Sequence, residues 1–232
     1  MGDINALSQR VLEIISSLPN LKIACDRCLR TERWGGSVAL MVVDASLTSS
    51  GLSYFDLVVP RVRLFSERFV ERGLVANLRD LSNLDLSSVM EIFRNERCWR
   101  VAREIASVLT CYGQEDREAL RSWASQSTLR DWRSDPVGSI KGVGLVTYQY
   151  LRMMGGVDTV MPDRVVKRVI NRLLAEAGFK PIEKDLEFIQ VVSEIGERIG
   201  VRPIELCWMT WLVVGEELKI RYIKDPELLL KI

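Results

Sequence analysis

A chain of 232 residues, 47% hydrophobic and 27% charged, is long enough for one sizeable core or two small lobes, and it is too apolar for wholesale disorder. A net charge of +1 excludes a global basic field that would advertise nucleic acid by charge alone. No apolar run reaches the roughly 18 residues of a membrane span, and Asp3 and Asn5 sit where a secretory signal would begin, so the expectation is a cytoplasmic protein with no membrane partner.

In chain order, Asp3 can cap a first helix on which Leu7, Val11, Ile14 and Leu18 recur at helical spacing, and Pro19 and Asn20 end it. A short second helix fits residues 22–32, stopping before Gly35-Gly36. Val38 to Val43 is a compact apolar run that suits a strand or a fully buried helix; helical neighbours and the absence of partner strands favour a helix. Tyr54 to Glu71 is amphipathic, with Pro60 expected to kink or break it. Asp85 caps a helix to about Arg94, Arg97 to Tyr112 forms another, and residues 114–131 form a third with Trp123 and Leu129 inward. After a glycine-rich turn comes a helix from Asp163 to Ala177 that Gly178 can terminate. Helices over 184–199 and 202–217 follow, and the last fifteen residues read as a tail packing back through Leu228 to Leu230. About ten helices and no convincing sheet define an all-α protein.

Five cysteines (Cys25, Cys28, Cys98, Cys111, Cys207) are odd in number and scattered, which argues against a disulfide framework. Cys25 and Cys28 make one CxxC without a second pair, and the chain has no histidine, so no metal site is expected and the CxxC reads as structural. Charge is unevenly placed. Residues 141–172 carry six basic side chains (Lys141, Arg152, Arg164, Lys167, Arg168, Arg172) against two acidic ones (Asp158, Asp163), and residues 183–217 are acidic. One face meeting phosphate would produce this pattern, and so would a solvated basic surface.

The stretch with most chemistry in it is Ile140-Lys-Gly142-Val143-Gly144 running into a helix with Thr147, Tyr148, Leu151 and Met154. Glycines at such a turn let a backbone approach closely, and the free N–H groups of the following helix suit a phosphate oxygen. A tight connection between packed helices would also use glycine. Asp163 follows Gly144 by nineteen residues, preceded by Pro162 and followed by Val165, Val166 and Arg168. As an isolated feature Asp163 is a good helix cap.

Taken together, the glycine hairpin and this Pro-Asp pair resemble the helix-hairpin-helix (HhH-GPD) DNA glycosylase superfamily that includes endonuclease III and the alkyladenine glycosylases. The resemblance covers about 30 residues, with the motif at about 134–154 plus the aspartate. It implies one helical unit of two intertwined lobes over 1–232, with a cleft between the lobes. DNA containing a damaged base would be the partner, bound by a monomer, with the target base extruded from the stack. Lys141, Gly142, Val143, Gly144, Thr147, Arg164 and Lys167 would hold the DNA backbone, and Asp163 would be the catalytic carboxylate that stabilises positive charge on the sugar as the N-glycosidic bond breaks. Family members that also nick the strand carry a lysine two residues after the second hairpin glycine; Val146 stands there, which favours a monofunctional enzyme using water. The family's iron–sulfur cluster needs four closely spaced cysteines near the C-terminus, where only Cys207 is found, so no cofactor is expected beyond a monovalent cation at the hairpin. The alternative is a DNA-binding module that kept the hairpin and performs no chemistry.

The segment Asp44 to Gly51 lies, by the same resemblance, near the base pocket, although a polar loop after a buried helix explains it equally well. Trp34, beside Gly35-Gly36, is the better exposed of six tryptophans for stacking on an extruded base, whereas Trp208 and Trp211 read as core. No residue that would fill the vacated stack can be named from the sequence.

Overall fold

The computed structural model describes residues 2–215, 217–222 and 227–232. Local signals set most helices. The Asp3 carboxylate accepts from the backbone N–H groups of Asn5 and Ala6 and opens α1 (Ile4–Ser16), which buries Leu7, Val11, Ile14 and Ile15. Next comes α2 (Leu21–Leu29), and then a turn over Arg33–Gly36 in which Trp34, Gly35 and Gly36 all have positive φ. The apolar run is a helix, α3 (Val38–Thr48), with every residue from Val38 to Leu47 buried. A helix apolar all round belongs in an interior.

Helical backbone continues from Tyr54 to Val70, through wide turns on either side of α4 (Val59–Phe65). Pro60 does not break it. The proline lies in the first turn of α4, and the wide turn before it bonds Val58 N–H to Ser53 O, so no helical donor is missed. A short α5 (Leu78–Ser82), not foreseen from the sequence, precedes α6 (Leu86–Val89), which Asp85 caps but which ends well before Arg94. Then come α7 (Glu96–Leu109) and α8 (Asp116–Gln126), followed by α9 (Leu145–Met154), α10 (Arg164–Glu176), α11 (Asp185–Ile199) and α12 (Pro203–Trp211).

After α12 the all-helical expectation needs one correction. Val213–Val214 (β1) pairs antiparallel with Lys219–Ile220 (β2), so the helix expected over 202–217 stops at Trp211. The expected tail continues into α13 (Leu228–Lys231), where Leu228 and Leu229 are buried; its residues 223–226 lie outside the described residues. Among the described residues no helix is long and apolar enough to cross a membrane.

The chain forms two compact units. The first joins both ends of the sequence, Met1–Arg27 and Asp158–Lys231, with α1, α10, α11 and α12 packed on one another. The second is Cys28–Val157 with Ile232; in it α3 packs against α7, α9 and α4, and α8 against α9.

Candidate functional site

The hairpin belongs to the second unit. Its incoming helix is absent, because residues 127–144 run as successive turns. Asp135 caps the segment, its Oδ1 accepting from Val137 N–H (2.8 Å), Gly138 N–H (3.2 Å) and the Trp123 indole (3.0 Å), but only one turn follows, closed by Ser139 N–H on Asp135 O at 2.8 Å. The motif expected over 134–154 is therefore a turn cluster followed by one regular helix, α9.

The two hairpin glycines serve different ends. Gly142 has φ +108°, and a Cβ there would lie 2.9 Å from Val101 Cγ2 on α7, so the fold itself demands glycine. Gly144, the N-cap of α9, has φ −105° and ψ 174°, ordinary extended values, and a Cβ there would meet nothing within 4 Å. The fold does not demand glycine at 144. Gly142→Ala is accordingly expected to cost about 1–3 kcal/mol in denaturant unfolding, while Gly144→Ala leaves stability unchanged within about 1 kcal/mol. A binding loss in Gly144→Ala would then report on something that approaches the turn from outside.

Around these glycines Lys141 is exposed and Val143 has its side chain buried, so a ligand would reach Val143 only through its backbone. Thr147 is a correction of the same kind. Its side chain is 1% exposed and its hydroxyl has no partner among the described residues, which leaves only its backbone N–H within a ligand's reach.

Asp163 belongs to the first unit and is half-buried. Its Oδ1 accepts from Val165 N–H (2.6 Å) and Val166 N–H (2.8 Å) at the start of α10, and its Oδ2 accepts from the Trp211 indole N–H at 2.9 Å. Burial raises the Asp163 pKa above the ordinary aspartate value despite those three bonds and the charge of Arg168, all of which pull it down. The side chain is thus fixed in one orientation in a setting that disfavours its charge. Carboxylate oxygens offer about four lone-pair positions; three donors occupy them, so one acceptor position remains. Trp211 as the partner of Asp163 was not visible in the sequence, where Trp208 and Trp211 read simply as core, and both are buried.

The basic stretch divides on inspection. Arg164 and Arg168, in the first turns of α10, are exposed. Lys167 is already engaged: its Nζ pairs with Asp185 Oδ1 at 2.8 Å and donates to Glu183 O. Arg152 is buried, donating to Ser127 Oγ (2.9 Å) and Gln149 Oε1 (2.7 Å), and Arg172 pairs with Glu176 at 2.8 Å.

Asp44 and Trp34, expected at a base pocket, do come together, but in the interior of the second unit. Asp44 is fully buried on α3, and its Oδ2 accepts from Arg33 Nη2 (3.0 Å), the Trp34 indole (2.8 Å), Tyr54 OH (3.0 Å) and Tyr150 OH (2.9 Å). Thr48 Oγ1 reaches Oδ1 at 3.3 Å. The expected loop from Asp44 is helix as far as Thr48, because Ser49 and Ser50 bond their hydroxyls to Ser46 O and Leu47 O and extend the turn instead of breaking it. A carboxylate this enclosed cannot touch a base, and Trp34, 8% exposed with its indole committed to Asp44, cannot stack on one. Both are corrected from pocket residues to a buried polar cluster. Cys28 lies close enough to feel the charges of Arg33 and Asp44, and burial pushes its thiol up to about 12, which leaves it unreactive. Among the described residues no group of three or more cysteine, aspartate or glutamate side chains is placed to share a metal ion.

Residues 17–214 match the family described as "Domain of unknown function (DUF8548)", and the chain belongs to that family. No curated protein and no solved structure matches it.

Proposed function

We propose that the chain is a monofunctional DNA glycosylase that removes a damaged base by hydrolysis of its N-glycosidic bond. The observation that carries the reading is Asp163, a carboxylate locked by two backbone donors and the Trp211 indole, with its pKa raised by burial and one acceptor position still open. Proteins concentrate such fixed, desolvated carboxylates where charge must be stabilised. The N-glycosidic electron pair leaves with the base, the sugar becomes cationic, and Asp163 faces that charge and accepts a hydrogen bond from the attacking water. The water oxygen bonds to the sugar carbon and its proton passes to Asp163 or solvent.

The division of the chain supports the same reading, since two helical units built from interleaved segments suit the intertwined, two-lobed glycosylase architecture. Gly144 and the N–H groups opening α9 would cradle a phosphate, with Lys141 beside them, and Arg164, exposed on the first unit, would be a separate backbone contact. Val146 stands where the resemblance puts the nucleophilic lysine, which is why hydrolysis is preferred to strand nicking.

A second reading, a DNA-binding module without chemistry, is favoured by one feature: as a helix cap, Asp163 already has a structural role. Oligonucleotides carrying uracil, hypoxanthine, alkylated or oxidised bases separate the two. Alkali-dependent strand scission by the wild type, lost in Asp163→Asn, is the result expected of the enzyme. DNA binding without scission across the panel would decide for the module.

A further inference from the structure

Beside the hairpin stands a cation that the motif does not contain. Arg97 lies in the first turn of α7, and its Cγ and Cδ are 3.7 and 3.8 Å from where a Cβ on Gly142 would be. Gly142 has no side chain, so the stem of Arg97 packs directly on the turn. The residue is exposed and makes no ion pair or hydrogen bond among the described residues. This contrasts with Arg100 on the same helix, which pairs with Glu104, and with Arg68, which pairs with Glu91 at 3.2 Å.

The turn itself leaves room for a ligand. Space is open at Gly144, although nothing in its backbone angles requires glycine. Lys141 is exposed in the turn itself. The turn thus has cations in two separate parts of the sequence, a helix start between them, and only Glu96 as an exposed acidic neighbour of Arg97 on α7.

We infer that Arg97 is a DNA-backbone contact, clamping with Lys141 the phosphodiester that sits on the Gly142–Gly144 turn. The inference rests on the glycosylase reading only in taking DNA as the ligand; it does not require Asp163 to be catalytic. Guanidinium suits the role because its planar fork can hold two phosphate oxygens at once.

The test is fluorescence anisotropy with a short undamaged DNA duplex titrated at several salt concentrations. In Arg97→Gln the slope of log affinity against log salt is expected to flatten by roughly 0.9, one phosphate contact, with an affinity loss of about tenfold at low salt. Arg97→Lys should keep the slope and lose part of the affinity. Arg68→Gln, which removes the same charge from an arginine already paired, should change neither. Because Arg97 is exposed, its substitution should leave the melting temperature unaltered, and a drop would overturn the contact in favour of a structural role. Wild-type binding with an unchanged Arg97→Gln slope would overturn this inference and leave the DNA reading standing. An absence of salt-dependent binding by the wild type would overturn both.

Discussion

Asp163→Asn is expected to reduce base excision on the order of a thousandfold under single-turnover conditions, the scale on which loss of one aligned electrostatic group acts on a developing charge. The substitution is informative because it keeps the fold. Asparagine remains a good N-cap, so α10 still has an acceptor for the Val165 and Val166 N–H groups, although its amide cannot also accept from the Trp211 indole. That unmet donor costs about 1–3 kcal/mol, and removal of a charge that burial disfavours offsets part of it. The sign of that offset follows from the raised pKa. Folded Asp163 holds its proton more tightly than the unfolded chain does, so stability falls as pH rises from the ordinary aspartate value through the folded one, and the asparagine variant lacks this fall. Activity runs the opposite way, because the ionised form is the working one. Excision should fade on acidification at a pH above the ordinary aspartate range. Trp211→Phe, which deletes a hydrogen bond that lowers the pKa, should move that acid limb higher still. Wild-type excision rates in Asp163→Asn would sink the catalytic assignment.

What could be read from the sequence was what is local along the chain. The Asp3, Asp85 and Asp163 caps each involve donors two or three residues away, and all three hold. Val38 to Val43 was recognisable as a helix by elimination, and α3 follows it. Contacts between distant segments were hidden. Nothing in the hairpin announces that Arg97 lies against Gly142, or that Trp211 reaches Asp163 from another helix. The errors have the same origin. Asp135 holds the Trp123 indole and Asp185 holds Lys167, contacts that no local pattern foretells. Asp44 carried a signal that could have been used: a lone carboxylate in the middle of a helix apolar all round must be paired inside the core, and Arg33 and Trp34 are the polar residues just upstream.

That pairing makes Asp44→Ala the substitution expected to destabilise the protein most, by about 3–5 kcal/mol, the range for removing one member of a buried ion pair. The Arg33 guanidinium is fully enclosed, and Asp44 is its anionic partner. Deleting the carboxylate strands that charge and also the Trp34 indole and two tyrosine hydroxyls that converge on the same oxygen. For a chain of this length the melting temperature should fall on the order of 10 °C. Arg33→Met should cost a similar amount by stranding the carboxylate instead. The double variant Arg33→Met with Asp44→Leu should recover much of the loss, because neither charge of the pair is then left stranded and the Tyr54 and Tyr150 hydroxyls, 3.2 Å apart, can bond each other. Single variants as stable as the wild type would mean that the guanidinium finds other acceptors or water. A double variant no better than either single one would mean that the cluster's value lies in its geometry. That second outcome would bear on function. Tyr150 stands on α9, Trp34 holds a left-handed backbone, and both are tied to α3 through one oxygen atom. A cluster retained for geometry would be the device that sets α9, and with it the hairpin turn, against the rest of the second unit.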